Sequence, residues 1–138
     1  MYLVDTSVWI DFLRGVSNGP VERLRGVLAA RVPFGITSLI YQEMLQGADS
    51  DARFDELKSY FGSQRFYQPR DALGTSEAAA RLFLDCRRKG VTVRSTVDCL
   101  IAQIAIEHEL TLLHNDRDFD QMAQVVPALR LAGKAHHD

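Results

Sequence analysis

The fold is decided at the start of the chain, by the stretch Tyr2-Leu3-Val4-Asp5-Thr6-Ser7-Val8-Trp9. The three apolar residues at 2–4 predict a short buried strand, and the apolar positions within 7–13 predict a helix that follows almost at once. A strand followed by a helix is the repeating unit of α/β proteins. The first question is therefore whether the rest of the chain repeats this alternation.

The alternation continues to the end of the chain. Helices are predicted over residues 21–31, from 37 or 38 to about 47, and over 51–61, 75–89, 95–109 and 117–125. Strands are predicted over residues 32–36, 65–67, 111–114 and 129–131. Such alternation implies right-handed crossovers and a mostly parallel sheet with helices on both faces. We predict a three-layer α/β/α fold forming one domain over residues 1–138, because no repeat or linker interrupts the chain.

Composition excludes several classes of protein. Of the 138 residues 46% are hydrophobic, which is too many for a disordered chain. No apolar run approaches the ~20 residues that a membrane helix needs, and no basic leader precedes the first strand. A cytoplasmic protein without a membrane span is therefore expected. The formal net charge of −2 argues against a protein that coats nucleic acid by charge alone.

Two of the carboxylates occupy positions that packing does not explain. Asp5 follows the first strand, and ligands of parallel α/β sheets gather beyond the carboxyl ends of strands. Asp5 could instead cap the next helix, although Thr6 and Ser7 could take that role and leave it free. At about 100° per residue, Glu43 projects into the apolar stripe of its helix and needs a partner or a cation there. Alternatively, Glu43 reaches the edge of the core or pairs with an arginine.

Three further carboxylates lie at comparable positions. Asp98 projects into the buried arc of its helix, beside small residues that leave room for an ion or a substrate group. The alternative is a capping box with Ser95, in which Asp98 only reaches back to a backbone amide. Asp116 and Asp118 follow the strand 111–114, where either could be a helix cap. We rank Asp116 above Asp118 because Asp116 is closer to the end of the strand.

Together these acids favour a metal site. Four carboxylates around one cleft repel one another unless a divalent cation neutralises them. Oxygen ligands without a Cys/His cluster favour Mg²⁺ or Mn²⁺, and such ions support attack on a phosphodiester. If Asp5, Glu43, Asp98 and Asp116 are neutralised, the 18 acidic residues fall to 14 against 16 basic ones, a net charge of +2. The charge balance therefore does not exclude RNA as a substrate.

The ordered set of acidic motifs resembles a known family, the PIN domain, and more closely the VapC-type toxins of bacterial toxin–antitoxin pairs. No single motif is specific, but all four occur in order and span nearly the whole chain. They are Val4-Asp5-Thr6-Ser7-Val8-Trp9-Ile10, Glu43 in the third predicted helix, Thr96-Val97-Asp98-Cys99-Leu100-Ile101-Ala102 and Leu113-His114-Asn115-Asp116-Arg117-Asp118-Phe119.

The resemblance implies a PIN-like fold and a Mg²⁺- or Mn²⁺-dependent endoribonuclease that cleaves structured RNA, such as transfer or ribosomal RNA. It implies that the four acidic site residues of the family correspond to Asp5, Glu43, Asp98 and Asp116, which we call the acidic quartet. Asp118 is a further possible metal ligand. It also implies a homodimer and a VapB-type antitoxin that blocks the cleft. Many relatives have Thr or Ser in place of Asn115, which puts the fine positioning of the site in question.

Other interpretations have less support. A haloacid-dehalogenase-like phosphatase needs a second aspartate two residues after the first, where this chain has Ser7. A receiver-like signalling domain needs a lysine after a late strand, and no lysine fits. A PIN-like RNA-binding or regulatory module without catalysis stays open as the alternative. For RNA contact, Arg14 and Arg94 are the better candidates because each adjoins an acidic motif, but no RNA-binding residue is assigned.

Overall fold

A computed structural model describes residues 1–133 of the chain. The strands in this part are β1 (Tyr2–Val4), β2 (Phe34–Gly35), β3 (Thr111–Leu113) and β4 (Arg130–Leu131). The helices are α1 (Thr6–Leu13), α2 (Gly19–Ala29), α3 (Ser38–Gln46), α4 (Asp51–Gly62), α5 (Ala72–Arg88), α6 (Thr96–Glu107) and α7 (Arg117–Val125). The end of the predicted domain, residues 134–138, lies outside the described residues.

The sheet has the strand order β2-β1-β3-β4, and all neighbouring strands are parallel. The two central strands end together, since Val4 pairs with Leu113 and the Asp5 amide donates to the Leu113 carbonyl at 2.9 Å. The residues after β1 and after β3 therefore emerge side by side at one edge. The predicted α/β fold with a parallel sheet is confirmed.

Trp9 anchors the start of α1 under this edge. Its ring is fully buried and contacts Phe61 edge-on, with 5.1 Å between ring centroids. Its indole Nε1 donates to the Val4 carbonyl at 3.2 Å, so the buried ring also satisfies its polar atom. These contacts hold α1 against the end of β1, and they fix the position of the residue between them, Asp5.

Two predicted elements differ from the structure. The strand expected over 65–67 is wrong: this segment makes a single parallel bridge, between Ile36 and Phe66. Its backbone passes so close to Gly35 that a Cβ there would lie 2.6 Å from the Arg65 carbonyl oxygen. The helix predicted from residue 75 begins at Ala72, because the Asp71 side chain accepts a hydrogen bond from the Gly74 amide at 2.8 Å and caps it.

Within residues 1–133 no helix combines the length and the apolar character that crossing a membrane would require.

Candidate active site

Three of the predicted carboxylates converge at the edge where β1 and β3 end. Asp98, Asp116 and Asp118 each present one carboxylate oxygen, and these three oxygens all lie within 4.8 Å of one another. Asp98 belongs to the first turn of α6, whereas Asp116 and Asp118 belong to the start of α7. We call this group the acidic cluster.

Asp98 is the least satisfied carboxylate of the cluster. Its backbone amide donates to Ser95 Oγ at 3.2 Å, but its carboxylate accepts no hydrogen bond from any residue in the 1–133 range. The capping box is therefore only half formed. Burial raises the pKa of Asp98 to about 7, with further contributions from the charges of Asp5, Asp116, Glu43 and Asp118, in that order. Each of these four carboxylates is thus close enough to disfavour the ionised form of Asp98.

Asp5 is a buried acid that also caps α1. Only 5% of its surface is exposed, and its Oδ2 accepts hydrogen bonds from the Ser7 amide at 3.1 Å and from Ser7 Oγ at 2.6 Å. Of the two possibilities that the sequence left open, Asp5 itself is the cap, and Thr6 and Ser7 do not take that role. Burial raises the pKa of Asp5, aided by the charge of Glu43 and opposed by the Ser7 hydrogen bonds. Both hydrogen bonds from Ser7 go to Oδ2, so Ser7 leaves the second oxygen, Oδ1, to other partners.

Glu43 does not lie inside the core, which corrects the helical projection. The buried residues of α3 are Ile40 and Met44, while Leu39 is only half-buried, so the apolar stripe is narrower than predicted. Glu43 is exposed at its edge and accepts a hydrogen bond from Thr6 Oγ1 at 2.7 Å. Its carboxylate is not part of the three-oxygen group, although its charge contributes to the raised pKa of both Asp5 and Asp98.

The structure separates the roles of Asp116 and Asp118. Asp116 is the cap of α7, and its Oδ1 accepts from the Asp118 amide at 2.9 Å. Asp118 is 5% exposed and pairs with Arg94, whose Nη2 lies 3.2 Å from Oδ1 and whose Nε lies 3.3 Å from Oδ2. Asp118 thus already faces a cation of the protein itself, and this cation competes for the same oxygens that a metal would use.

Two supporting residues were not recognised from the sequence. His114 Nδ1 accepts a hydrogen bond from the Asp116 amide at 3.0 Å, while its Nε2 lies 3.4 Å from Asp120 Oδ1. This ring therefore fixes the backbone at one carboxylate of the acidic cluster. Asn115 donates through its backbone amide to Ser7 Oγ at 2.9 Å and through its side chain to Asp11 Oδ2 at 3.2 Å.

These Asn115 contacts settle what the unusual residue does. Its side chain ties α1 to the loop after β3, and Asn18, the cap of α2, donates to the same Asp11 oxygen at 3.0 Å. Asn115 therefore holds the scaffold and is not a member of the acidic cluster. Asp11 lies four residues after Ser7 and on the same helix face, which was the signal available in the sequence.

The donor set fits the divalent ion that the family implies. Every candidate ligand is a carboxylate oxygen, which hard cations such as Mg²⁺ and Mn²⁺ prefer. Burial and, after it, the charges of the neighbouring carboxylates raise the pKa of Asp98, and a bound cation would favour the ionised form. A site for one divalent ion is consistent with three oxygens within 4.8 Å of one another.

Comparison with known proteins agrees with this geometry. The PIN domain family matches residues 2–125. Two curated relatives, VapC ribonuclease Mb1587 of Mycobacterium bovis and ribonuclease VapC11 of Mycobacterium tuberculosis, are each 36% identical over 128 residues, which cover 91% of this chain and 93% of the relative.

Solved structures share the fold. VapBC2 from Rickettsia felis bound to a promoter DNA fragment has a TM-score of 0.71 at 19% identity, covering 94% of this chain and 96% of the other. FitAcB from Neisseria gonorrhoeae has a TM-score of 0.66 at 16% identity, covering 95% and 96%. These likenesses confirm the three-layer fold, and the sequence match assigns the family: the chain belongs to the PIN domain family and, within it, to the VapC proteins.

Proposed function

We propose that this VapC protein is a metal-dependent endoribonuclease that hydrolyses phosphodiester bonds in RNA, as the toxin of a toxin–antitoxin pair. The single observation that carries the proposal is the acidic cluster, in which Asp98 has neighbouring carboxylates and no hydrogen-bond donor among residues 1–133. The curated relatives are named as ribonucleases, which supports RNA as the substrate class.

We assign the metal ligands from the geometry and from the family resemblance together. Asp98 and Asp116 would hold Mg²⁺ or Mn²⁺, with Asp5 offering the oxygen that Ser7 leaves free. Asp118 is a further possible ligand that Arg94 already engages, and Glu43 is the fourth acid of the quartet, outside the three-oxygen group. When bound, such an ion lowers the pKa of water and stabilises the charge that develops on a phosphate under attack.

The protein itself supplies orientation. Ser7 Oγ donates to Asp5 and accepts from the Asn115 amide, so one hydroxyl links the carboxylate after β1 with the loop after β3. His114 accepts from the Asp116 amide and holds that backbone in place. Carboxylates held on rigid elements can meet a cation without reorganising, which is the condition for strong electrostatic stabilisation.

The partners belong to the same proposal. The fold neighbours include VapBC complexes and a toxin–antitoxin complex from Klebsiella pneumoniae. We infer a VapB-type antitoxin that covers the acidic cleft, a homodimer, and cytoplasmic action on structured RNA such as transfer or ribosomal RNA. Mapping the ends of accumulating RNA fragments after expression identifies the substrate.

The test uses purified, antitoxin-free protein and total RNA. We expect cleavage in Mg²⁺ or Mn²⁺, no cleavage in EDTA, and loss of cleavage in Asp98→Asn. Asp55→Asn is the matched control, because Asp55 is an exposed carboxylate of α4 that makes no hydrogen bond or ion pair within the described residues. Equal cleavage in EDTA, or by Asp98→Asn, contradicts the proposal. Binding of RNA without cleavage favours the alternative of a non-catalytic RNA-binding module.

A further inference from the structure

A cavity adjoins the acidic cluster on the side of Asp116. It has a volume of about 520 Å³, which is within the range of pockets that hold small ligands. We call it the α2–α7 cavity, because its walls include Pro20 and Arg23 of α2, Asp116, Arg117 and Asp120 at the start of α7, and Gly133 after β4. Asp116 belongs to both sites, so the cavity and the acidic cluster share a wall.

The two arginines of this cavity are available to a ligand. Arg23 and Arg117 are exposed, and in the 1–133 part of the chain neither makes an ion pair or a hydrogen bond. This holds although two carboxylates line the same cavity. Those carboxylates have contacts of their own: Asp116 Oδ1 accepts from the Asp118 amide, and Asp120 lies 3.4 Å from His114 Nε2.

The backbone around Arg23 adds to the positive character of the wall. A Cβ at Gly133 would lie 3.3 Å from the Nε and Nη2 atoms of Arg23, so the guanidinium rests against this segment. Pro20 and Gly19, which also line the cavity, are the first residues of the eleven-residue helix α2. The N-terminal end of a helix carries a partial positive charge, so it adds to the field of the two arginines.

We propose that the α2–α7 cavity binds a phosphate of the RNA strand next to the one that is cleaved, with Arg23 and Arg117 donating to its oxygens. The inference rests on the proposed function, since it assumes that the scissile phosphate lies at the acidic cluster. A strand held there must continue past one side of the cluster, and the α2–α7 cavity is a polar space beside it that shares Asp116 and carries two arginines without ion pairs among the described residues. Arginine suits this role because its guanidinium binds phosphate through paired hydrogen bonds.

The experiment measures binding separately from cleavage. In an Asp98→Asn background and in EDTA, a fluorescein-labelled 12-nucleotide single-stranded RNA is titrated by anisotropy at several NaCl concentrations. R23Q/R117Q is compared with R25Q/R87Q, which removes the same charge from α2 and α5 outside the cavity; Arg25 pairs with Glu22 at 3.3 Å. Each lost phosphate contact lowers the slope of log K against log salt by about 0.7 for single strands.

The expected result is a slope lower by about 0.7 in R23Q/R117Q, because both arginines contact one phosphate, with affinity at least about tenfold weaker, and a smaller change in R25Q/R87Q. R23K/R117K should keep the salt slope while losing affinity, because lysine retains the charge without the paired donors. Equal affinity and slope in the two glutamine double variants overturns the inference.

Failure of the proposed function would be visible in a different measurement. Wild-type protein that shows no metal-dependent cleavage of total RNA overturns that function, whatever the binding assay shows. Wild-type protein that cleaves RNA, together with R23Q/R117Q that binds like its control, overturns only the role of the α2–α7 cavity.

Discussion

Helix α6 carries a carboxylate near each end, and the two differ in their hydrogen bonds and in the direction in which their pKa is shifted. Asp98, in the first turn, accepts no hydrogen bond from the described residues, and burial together with four neighbouring carboxylates raises its pKa to about 7. Glu107, the last residue of the helix, accepts the Thr75 hydroxyl, whose Oγ1 lies 2.9 and 2.7 Å from its two carboxylate oxygens. It also accepts from the Arg70 amide and from Gln103 Nε2.

The pKa values follow these surroundings. Burial acts to raise the pKa of Glu107, but the hydrogen bonds from Thr75, Arg70 and Gln103 outweigh it and the pKa is lowered. Glu107 stabilises the fold by joining α6 to the segment before α5. Asp98 accepts no hydrogen bond from the described residues, and its burial disfavours the ionised form. A carboxylate that the protein does not satisfy is therefore the better indicator of a ligand.

The largest expected difference between the two ends of α6 is in activity. Asp98→Asn should lower the rate of RNA cleavage at least about 100-fold, because a metal contributes several kcal/mol to stabilising a phosphoryl transition state. Glu107→Gln should keep cleavage near the wild-type rate at a temperature where it is folded. The rate of fragment formation from total RNA measures both, and similar losses in the two variants would remove the distinction.

Substitution of Glu107 should lower the stability of the fold, whereas substitution of Asp98 should not, which is the reverse of the order expected for activity. Glu107→Ala is expected to destabilise the protein by about 2 kcal/mol, since it leaves Thr75 and the Arg70 amide without their acceptor. A carboxyl with a lowered pKa contributes stability above its ordinary pKa near 4.5, and this contribution is lost as pH falls through the folded-state value. Urea unfolding at pH 7 and pH 3.5 checks both points; a variant as stable as wild type at pH 7 would contradict this role of Glu107.

Asp98→Asn should stabilise the protein in EDTA. The pKa of Asp98 is raised from 3.8 to about 7, so its penalty is absent below the unfolded value and grows as pH rises to 7. At pH 8 we expect a gain on the order of 1–2 kcal/mol, allowing for solvent screening, and almost none at pH 4. Thermal unfolding at the two pH values, with Asp55→Asn as control, tests this; a gain independent of pH would point to another cause.

A smaller effect is expected from Arg94. Removing its guanidinium in Arg94→Gln takes away a cation that competes for Asp118 and frees that carboxylate for a metal. Mn²⁺ should then bind roughly threefold tighter or more by calorimetry, while Arg87→Gln leaves the affinity unchanged. Weaker binding in Arg94→Gln would mean that the ion pair positions Asp118 for the metal instead of competing with it.

The smallest effect is expected from Glu43. The acidic pattern alone suggests that Glu43→Gln relieves repulsion and raises the melting temperature without metal. The exposed position and the hydrogen bond from Thr6 now lead us to expect a change within about 1 °C in EDTA. A clear increase would show that Glu43 is more crowded than its exposure indicates.

The order of apolar runs and carboxylates along the chain predicted the strands beside the site, but it did not predict details that depend on packing. The strand at 2–4 and the strand before Asp116 could be predicted because each is a short apolar run followed by a carboxylate. Parallel pairing then brings the ends of both strands to one edge of the sheet. Glu43 was misplaced because a helical projection assumes that Leu39 is buried, and the extent of burial depends on the neighbouring elements. The first turn of α5 was not predicted because it contains Gly74, and its cap, Asp71, was not recognised.

The contacts that support the site could not be predicted from the sequence, for a different reason. Nothing local indicates that His114 accepts from the Asp116 amide, that Arg94 pairs with Asp118, or that Arg23 and Arg117 line one cavity. Each joins residues that only the tertiary fold brings together, or depends on a rotamer. The predicted quartet shares Asp98 and Asp116 with the acidic cluster, whereas Glu43 lies outside it and Asp118 lies inside it. The division of these acids into cap, ion-paired acid and unsatisfied acid required the structure.

The most direct test is thermal unfolding of wild type and Asp98→Asn at pH 8, each in EDTA and in saturating Mn²⁺. Wild type should be the less stable protein in EDTA. With Mn²⁺ at about 100 times its dissociation constant wild type should gain about 2.7 kcal/mol and become the more stable, while Asp98→Asn gains little. A wild-type protein that unfolds at the same temperature in EDTA and in Mn²⁺, or a variant that gains equally, would contradict a metal site at the acidic cluster.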